Sequence, residues 1–377
     1  MRPVALFSLF VLGFTNLALA ATPVTIDQLE QLLIAGHSKP DAKIARQLAG
    51  LQLTERATTA RLNEWESEYQ GARTRGALTV LADTSAFLAL PPADIPTNPP
   101  PDSDAQRRML LLTIDYIGKT IANLPNFMAT RETTHFEDTP PQLLGQPDWK
   151  ATHLDPGQYT DYEPLHITGR SAIPVTYRDG HEVEQTARAK AQVHGPPIGL
   201  TTSGEFGPVL AVVVPDAFRN QMMWSHWERW ANGLAAVFAY HVPQGQSHYL
   251  VEFRPGPDWV QIHPEYYGEI AIDPATGSVL RITARSKLTP PWQAVSSAIL
   301  IEYGRVLLGD RTYICPVKGV ALSTMPVATS TQDPAAHLKT RLNDVAFVEY
   351  HLFHADAHIV GAAEPPQPEN PPSTPNR

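Results

Sequence analysis

The sequence predicts an α+β protein: a small N-terminal helical domain, then a curved, half-barrel-like antiparallel sheet packed on one or two helices. Three observations predict it. Helical periodicity runs over residues 24–90, a proline-rich stretch at 91–104 interrupts it, and from residue 124 turn signals recur between runs of alternating β-branched and aromatic residues.

Taken in order, residues 1–20 read as a signal peptide. Arg2 precedes an almost wholly apolar run over residues 4–19, and Ala18-Leu19-Ala20 offers a small-residue cleavage site before Ala21. Cleavage after Ala20 predicts a periplasmic or extracellular product with no stable membrane span, since no later stretch is apolar enough to cross. Residues 21–90 form the helical domain, with Ser38 before Pro40, and Thr54 before Leu62 and Trp65, as expected N-caps of three or four short helices. Residues 91–104 cannot hold a helix or a central strand, because proline lacks the backbone donor, and read as a stiff linker.

Residues 105–360 are the sheet domain. A helix near 106–123 places Met109, Leu112, Ile117 and Ile121 near one face and ends at Leu124-Pro125. Hairpin signals follow at Asp179-Gly180, Gln244-Gly245, Asp273 to Gly277 and Gly309-Asp310, which implies about ten antiparallel strands. The apolar run near 204–218, with Ser203 as its cap, is read as a buried helix on its length, although Val212, Val213 and Val214 favour a strand. Residues 361–377 form a proline-rich tail predicted to be disordered.

Composition narrows the function. Removing residues 1–20 takes away Arg2 and moves the formal charge from −9 to −10, which repels phosphate backbones and argues against nucleic acid as a partner. The single cysteine, Cys315, has no intrachain partner and lies in an alternating strand, where a small buried thiol is expected. No Gly-x-Ser-x-Gly, His-Glu-x-x-His, phosphate-cradling loop or dinucleotide fingerprint occurs, so no cofactor is predicted.

The stretches LPNFMATRETTHFED (124–138), YYGEIAIDPATGSVLRI (266–282) and IEYGRVLLGDRTYICPVKGVALS (301–323) resemble a family of uncharacterised exported proteins frequent in acidobacteria. The resemblance covers most of residues 24–360 and implies no functional residue. The order of one helix, a run of hairpins and an inserted apolar helix is more distantly similar to the half-barrel of periplasmic lipoprotein carriers, which have no counterpart to the helical region before Pro91.

Three groups of residues are candidates for chemistry. His354, Asp356 and His358 share one face of an extended strand and are weak metal candidates, because ligands at i and i+4 lie about 13 Å apart. Glu163, Glu205, Glu228, Glu252, Glu265 and Glu269 are scattered, with no motif selecting an acid and base pair. The segment from Met222 to Trp230 is the richest: regular alternation sends Trp224, His226, Glu228 and Trp230 to one side and Met223, Ser225, Trp227 and Arg229 to the other. Met222, Met223, Trp224, Trp227 and Trp230 are therefore the candidate ligand-binding residues. The leading expectation is a non-enzymatic carrier for a lipid acyl chain or an apolar protein segment. A hydrolase with an unrecognised site and a protein-interaction scaffold are the alternatives.

Overall fold

The computed structural model describes residues 21–141, 143–144, 158–159, 161–178, 181–184, 208–231, 233–253, 260–289, 291, 295–328 and 336–352. The expected signal peptide at 1–20, Asp179-Gly180, Ser203, the His354, Asp356 and His358 cluster and the expected tail at 361–377 lie outside them.

The described residues begin with strand β1 (Thr22–Val24), helices α1 (Ile26–Gly36) and α2 (Asp41–Ala49), strand β2 (Leu51–Leu53), and helices α3 (Thr59–Glu68) and α4 (Ala72–Ser85). β1 and β2 pair in parallel. Around them Ile26, Leu29, Leu33, Ile44, Leu48, Leu62, Trp65, Leu78 and Leu81 form a core of their own. The expected caps are displaced. Thr25 caps α1 in a reciprocal capping box with Gln28, and Thr58 caps α3. α2 starts after Pro40, without a side-chain cap, so Ser38 caps nothing. Thr54 directs its hydroxyl to the Val24 carbonyl, so it extends the β1–β2 pairing and leaves helix initiation to Thr58.

Past a single 3₁₀ turn at Pro92–Asp94, helix α5 (Ser103–Asn123) starts at the Asp102 cap. There follow β3 (Phe127–Thr139), β4 (Leu143–Leu144), β5 (Gln158–Tyr159), β6 (Glu163–Arg178), β7 (His181–Glu184), α6 (Pro208–Arg219), β8 (Gln221–Trp230), β9 (Gly233–Val242), β10 (Val251–Phe253) and β11 (Val260–Ile262). The last five strands are β12 (Glu265–Ile272), β13 (Val279–Lys287), β14 (Ser296–Leu308), β15 (Arg311–Ala328) and β16 (Ala336–Leu352). Ten strands form one open antiparallel sheet in the order β7-β6-β3-β16-β15-β14-β13-β12-β9-β8, with β7 and β8 at its edges. Among the described residues no helix is long and apolar enough to cross a membrane.

The inserted apolar run is a helix over the part that is described: Val209, Leu210, Val213, Val214 and Ala217 of α6 are buried on one stripe. They pack with Met109 and Ile117 of α5 against Phe238, Tyr240, Val242, Ile270 and Ile282, on what we call the apolar face of the sheet. The expected turn at Asp273 is present. Its carboxylate accepts from the Ala275 and Thr276 amides, and Gly277 takes φ +72°. A Cβ on Gly277 would lie 2.4 Å from the Leu112 carbonyl carbon, so this hairpin seats directly on α5.

One hairpin expectation changes. Gln244-Gly245 lies in a 3₁₀ turn that leads to β10, while β9 pairs with β12. The reason is Asp216: buried in α6, it accepts from the His248 amide at 2.8 Å and from His248 Nδ1 at 2.7 Å, which pulls the chain off the sheet. In the hairpin joining β8 and β9, Trp230 pairs with Gly233, which takes φ +137°.

Candidate functional site

A cavity between the helical domain and the sheet

On the face opposite α5 and α6, the helical domain covers the sheet and leaves a cavity of about 600 Å³. Its walls are largely apolar: Ala57, Leu62, Ala86 and Leu90 on the helical side, Leu300, Tyr303 and Val320 on the sheet. Crossing it is a row of charged side chains built by strand register. Arg281 on β13 pairs with Glu302 on β14, and Glu302 with Lys318 on β15.

The row continues to Glu228 on β8, and small residues make that reach possible. Between β13 and β8 lie two strands, about 14 Å in all. There Ala271 and Ala235 offer only methyl groups, so the Arg281 side chain can lie across them with Trp230 stacked 6.0 Å from its guanidinium. Arg281 then binds Glu228 through two parallel bonds, Nη1 to Oε1 at 2.5 Å and Nη2 to Oε2 at 2.8 Å. From the helical domain, Arg56 donates to Glu228 Oε2 at 2.7 Å. Burial alone would push the Glu228 carboxyl up, but Arg281, His226 and Arg56 overcome it and hold the group far below the ordinary carboxylate range.

At the other end of the row, Asp83 of α4 lies 2.9 Å from Lys318 Nζ, and Asp344 of β16 lies 3.4 Å from the same nitrogen. Burial and the Asp344 charge raise Asp83 to about 7, against the attraction of Lys318. Burial would lower Lys318, yet Asp83 and Asp344 hold it well above its usual value. Between the two ends, Thr59 donates to Glu302 at 2.9 Å. At the edge of the cavity Arg61 is held by Asp94 and Glu30.

A β-bulge delivers Glu228 to this face. Trp224 pairs with Phe238 and His226 with Val237, so Ser225 is an extra residue and the alternation reverses there. This corrects the regular alternation expected along the strand. Trp224 and Trp227 share the apolar face, their rings 4.9 Å apart, whereas His226, Glu228 and Trp230 face the helical domain. Without the bulge Glu228 would point into the apolar core.

Of the five residues singled out in the sequence, Met222, Trp224 and Trp227 pack together against the α5 and α6 core. Trp227 also donates from Nε1 to the Pro99 carbonyl at 2.9 Å, clipping the linker to the sheet edge. Met223 is on the opposite face and 59 % exposed, and Trp230 lines the cavity. Of the scattered glutamates, Glu228 and Glu269 converge, with Glu269 Oε2 3.5 Å from Arg281. Arg56, Asp83, Arg281, Glu302 and Lys318 carried no signal of their own in the sequence. Cys315 is buried, and burial pushes its thiol up to about 12. Among the described residues no group of three His, Cys, Asp or Glu could hold a metal ion. No family model, no curated protein and no solved structure matches this chain.

Proposed function

We propose that the chain is an exported, non-enzymatic binding or carrier module that holds the acyl portion of a lipid, or a similar apolar segment, in the cavity between the helical domain and the sheet. The observation that carries the reading is the pairing within that cavity. Its walls are largely apolar, its volume lies in the range of small-molecule sites, and the buried charges that cross it already engage one another. An apolar ligand can therefore fill it without stripping a partner from a buried ion.

Hydrolysis is the second reading, favoured by one observation, the Asp83 carboxyl poised at about 7. It is weaker because the neighbours of Asp83 are Lys318 and Asp344, with no hydroxyl or thiol hydrogen-bonded to it among the described residues. Glu228, clamped by two guanidiniums, is a poor proton acceptor.

Titration with a series of acyl probes tests the proposal. Each buried methylene contributes up to about 0.8 kcal/mol, so affinity should rise by up to about fourfold per carbon until the cavity is full. Ala60→Trp, at the exposed edge of the cavity, should abolish binding, and Trp224→Ala on the apolar face should leave it intact. Length-independent binding, or binding lost only in Trp224→Ala, contradicts the reading.

A further inference from the structure

Resting on the reading of this cavity as the ligand site, we propose that the contact of Asp83 with Lys318 and Asp344 is a pH-operated latch. It holds the helical domain on the sheet in mildly acidic solution and loosens as the solution becomes alkaline, opening the cavity.

Two buried charges reach across the seam from the helical domain, and they enter different surroundings. Arg56 joins Glu228, which Arg281 also binds, and Glu269 lies 4.0 Å from Arg56 and 3.5 Å from Arg281, so at that end two guanidiniums balance two carboxylates. Asp83 enters a different situation. Facing it are Lys318 from β15 and Asp344 from β16, with Glu302 of β14 the register partner of Lys318. From α3 and the turn before it, Arg61 and Arg56 line the same cavity but are engaged by Asp94 and Glu30, and by Glu228. β6 meets α4 at Gly76 through the apolar Ile167. One lysine thus serves three carboxylates. Across the seam Arg56, Arg281 and Lys318 stand against Glu228, Glu269, Glu302, Asp83 and Asp344, so ionising Asp83 deepens a negative excess. Asp83 Oδ2 is buried without a hydrogen-bond partner to receive that charge.

The direction follows from linkage. Asp83 titrates higher in the closed state than in water, where its ordinary value is 3.8. The closed state therefore binds the proton more tightly, and its advantage is complete below that value and lost as the pH rises through about 7. Glu228 behaves oppositely: held far below the ordinary range, its contribution is present above 4.5 and constant through neutrality. His226 also faces the seam, 3.6 Å from Glu228 and at the other end of the row from Asp83.

Nitroxide labels on Ile34→Cys in the helical domain and Leu307→Cys in the β14–β15 hairpin, positions 75 % and 68 % exposed, read the separation directly in the full chain. The expected result is one narrow distance at about pH 5.5 and a second, longer population at about pH 8.5. Asp83→Asn should keep the narrow distance at both. Should that variant not fold, Asp344→Asn decides, because removing the neighbouring charge must weaken the pH response. A pH-independent distance in the labelled parent, a response that survives Asp83→Asn, or one undiminished in Asp344→Asn overturns the latch. No ligand is added, so failure here leaves the carrier reading standing, and failure of acyl binding leaves the latch standing.

Discussion

On one face of the sheet, Phe238, Tyr240, Ile270 and Ile282 meet the apolar sides of α5 and α6; on the other, Glu228, Arg281, Glu302 and Lys318 meet Arg56, Thr59 and Asp83. The polar group on the first face ties it shut: Asp216 accepts from the Tyr266 hydroxyl at 2.9 Å and anchors the His248 loop over the core. Apolar burial gains little from any single geometry and resists opening. Buried ion pairs do the reverse. They contribute modest net stability, because desolvation offsets attraction, but they demand a matching partner and release both charges to water when the surfaces part. One face is thus an apolar core, and the other joins these ion pairs to a smaller apolar patch, where Val80, Ala86 and Phe87 of the helical domain pack on Phe136, Leu300, Val320 and Leu342 beside the cavity.

The largest test of that contrast removes one carboxylate. Glu228→Ala leaves the Arg56 and Arg281 guanidiniums buried without it, and should cost about 3–5 kcal/mol in a denaturant titration. Replacing Arg56, Glu228 and Arg281 together by Met, Leu and Met should recover most of that loss, since the desolvation cost disappears with the charges. A single-variant cost below about 1 kcal/mol would mean that water reaches the row and the seam is not closed.

A smaller effect is expected from cutting the linker. Residues 97–100 are exposed, and a cut there should leave two fragments that co-elute in gel filtration at about pH 5.5, held by the Arg56 and Asp83 contacts and by their apolar surroundings. Fragments that separate at that pH would make the linker, not the seam, the element that keeps the helical domain in place.

The fold was legible because its signals are local. Asp273 to Gly277 and Gly309-Asp310 mark turns by their own chemistry, the spacing of Met109 and Ile117 gives α5 its buried side, and the length of the apolar run favours a helix at α6. The candidate site was not legible, for three physical reasons. Arg56 and Glu228 are 172 residues apart, and no periodicity links them. The bulge at Ser225 reverses the alternation on which the strand's faces were assigned. The reach of Arg281 depends on Ala271 and Ala235 being small, and their smallness means nothing until register sets Ala271 beside Arg281 and Ala235 beside Glu228. Glu269, Arg281, Glu302 and Lys318 all lie within the two sequence stretches 266–282 and 301–323, where each reads alone as a solvated strand residue.

Whether ligand occupies the seam or the apolar face can be read by mapping a photoreactive acyl probe on the intact protein. Occupancy of the seam puts label on peptides from both sides of the cavity, residues 56–62 and 86–94 from the helical domain together with 228–231 and 300–304 from the sheet. Label confined to residues 208–227, where α6 meets Met222, Trp224 and Trp227, would contradict it.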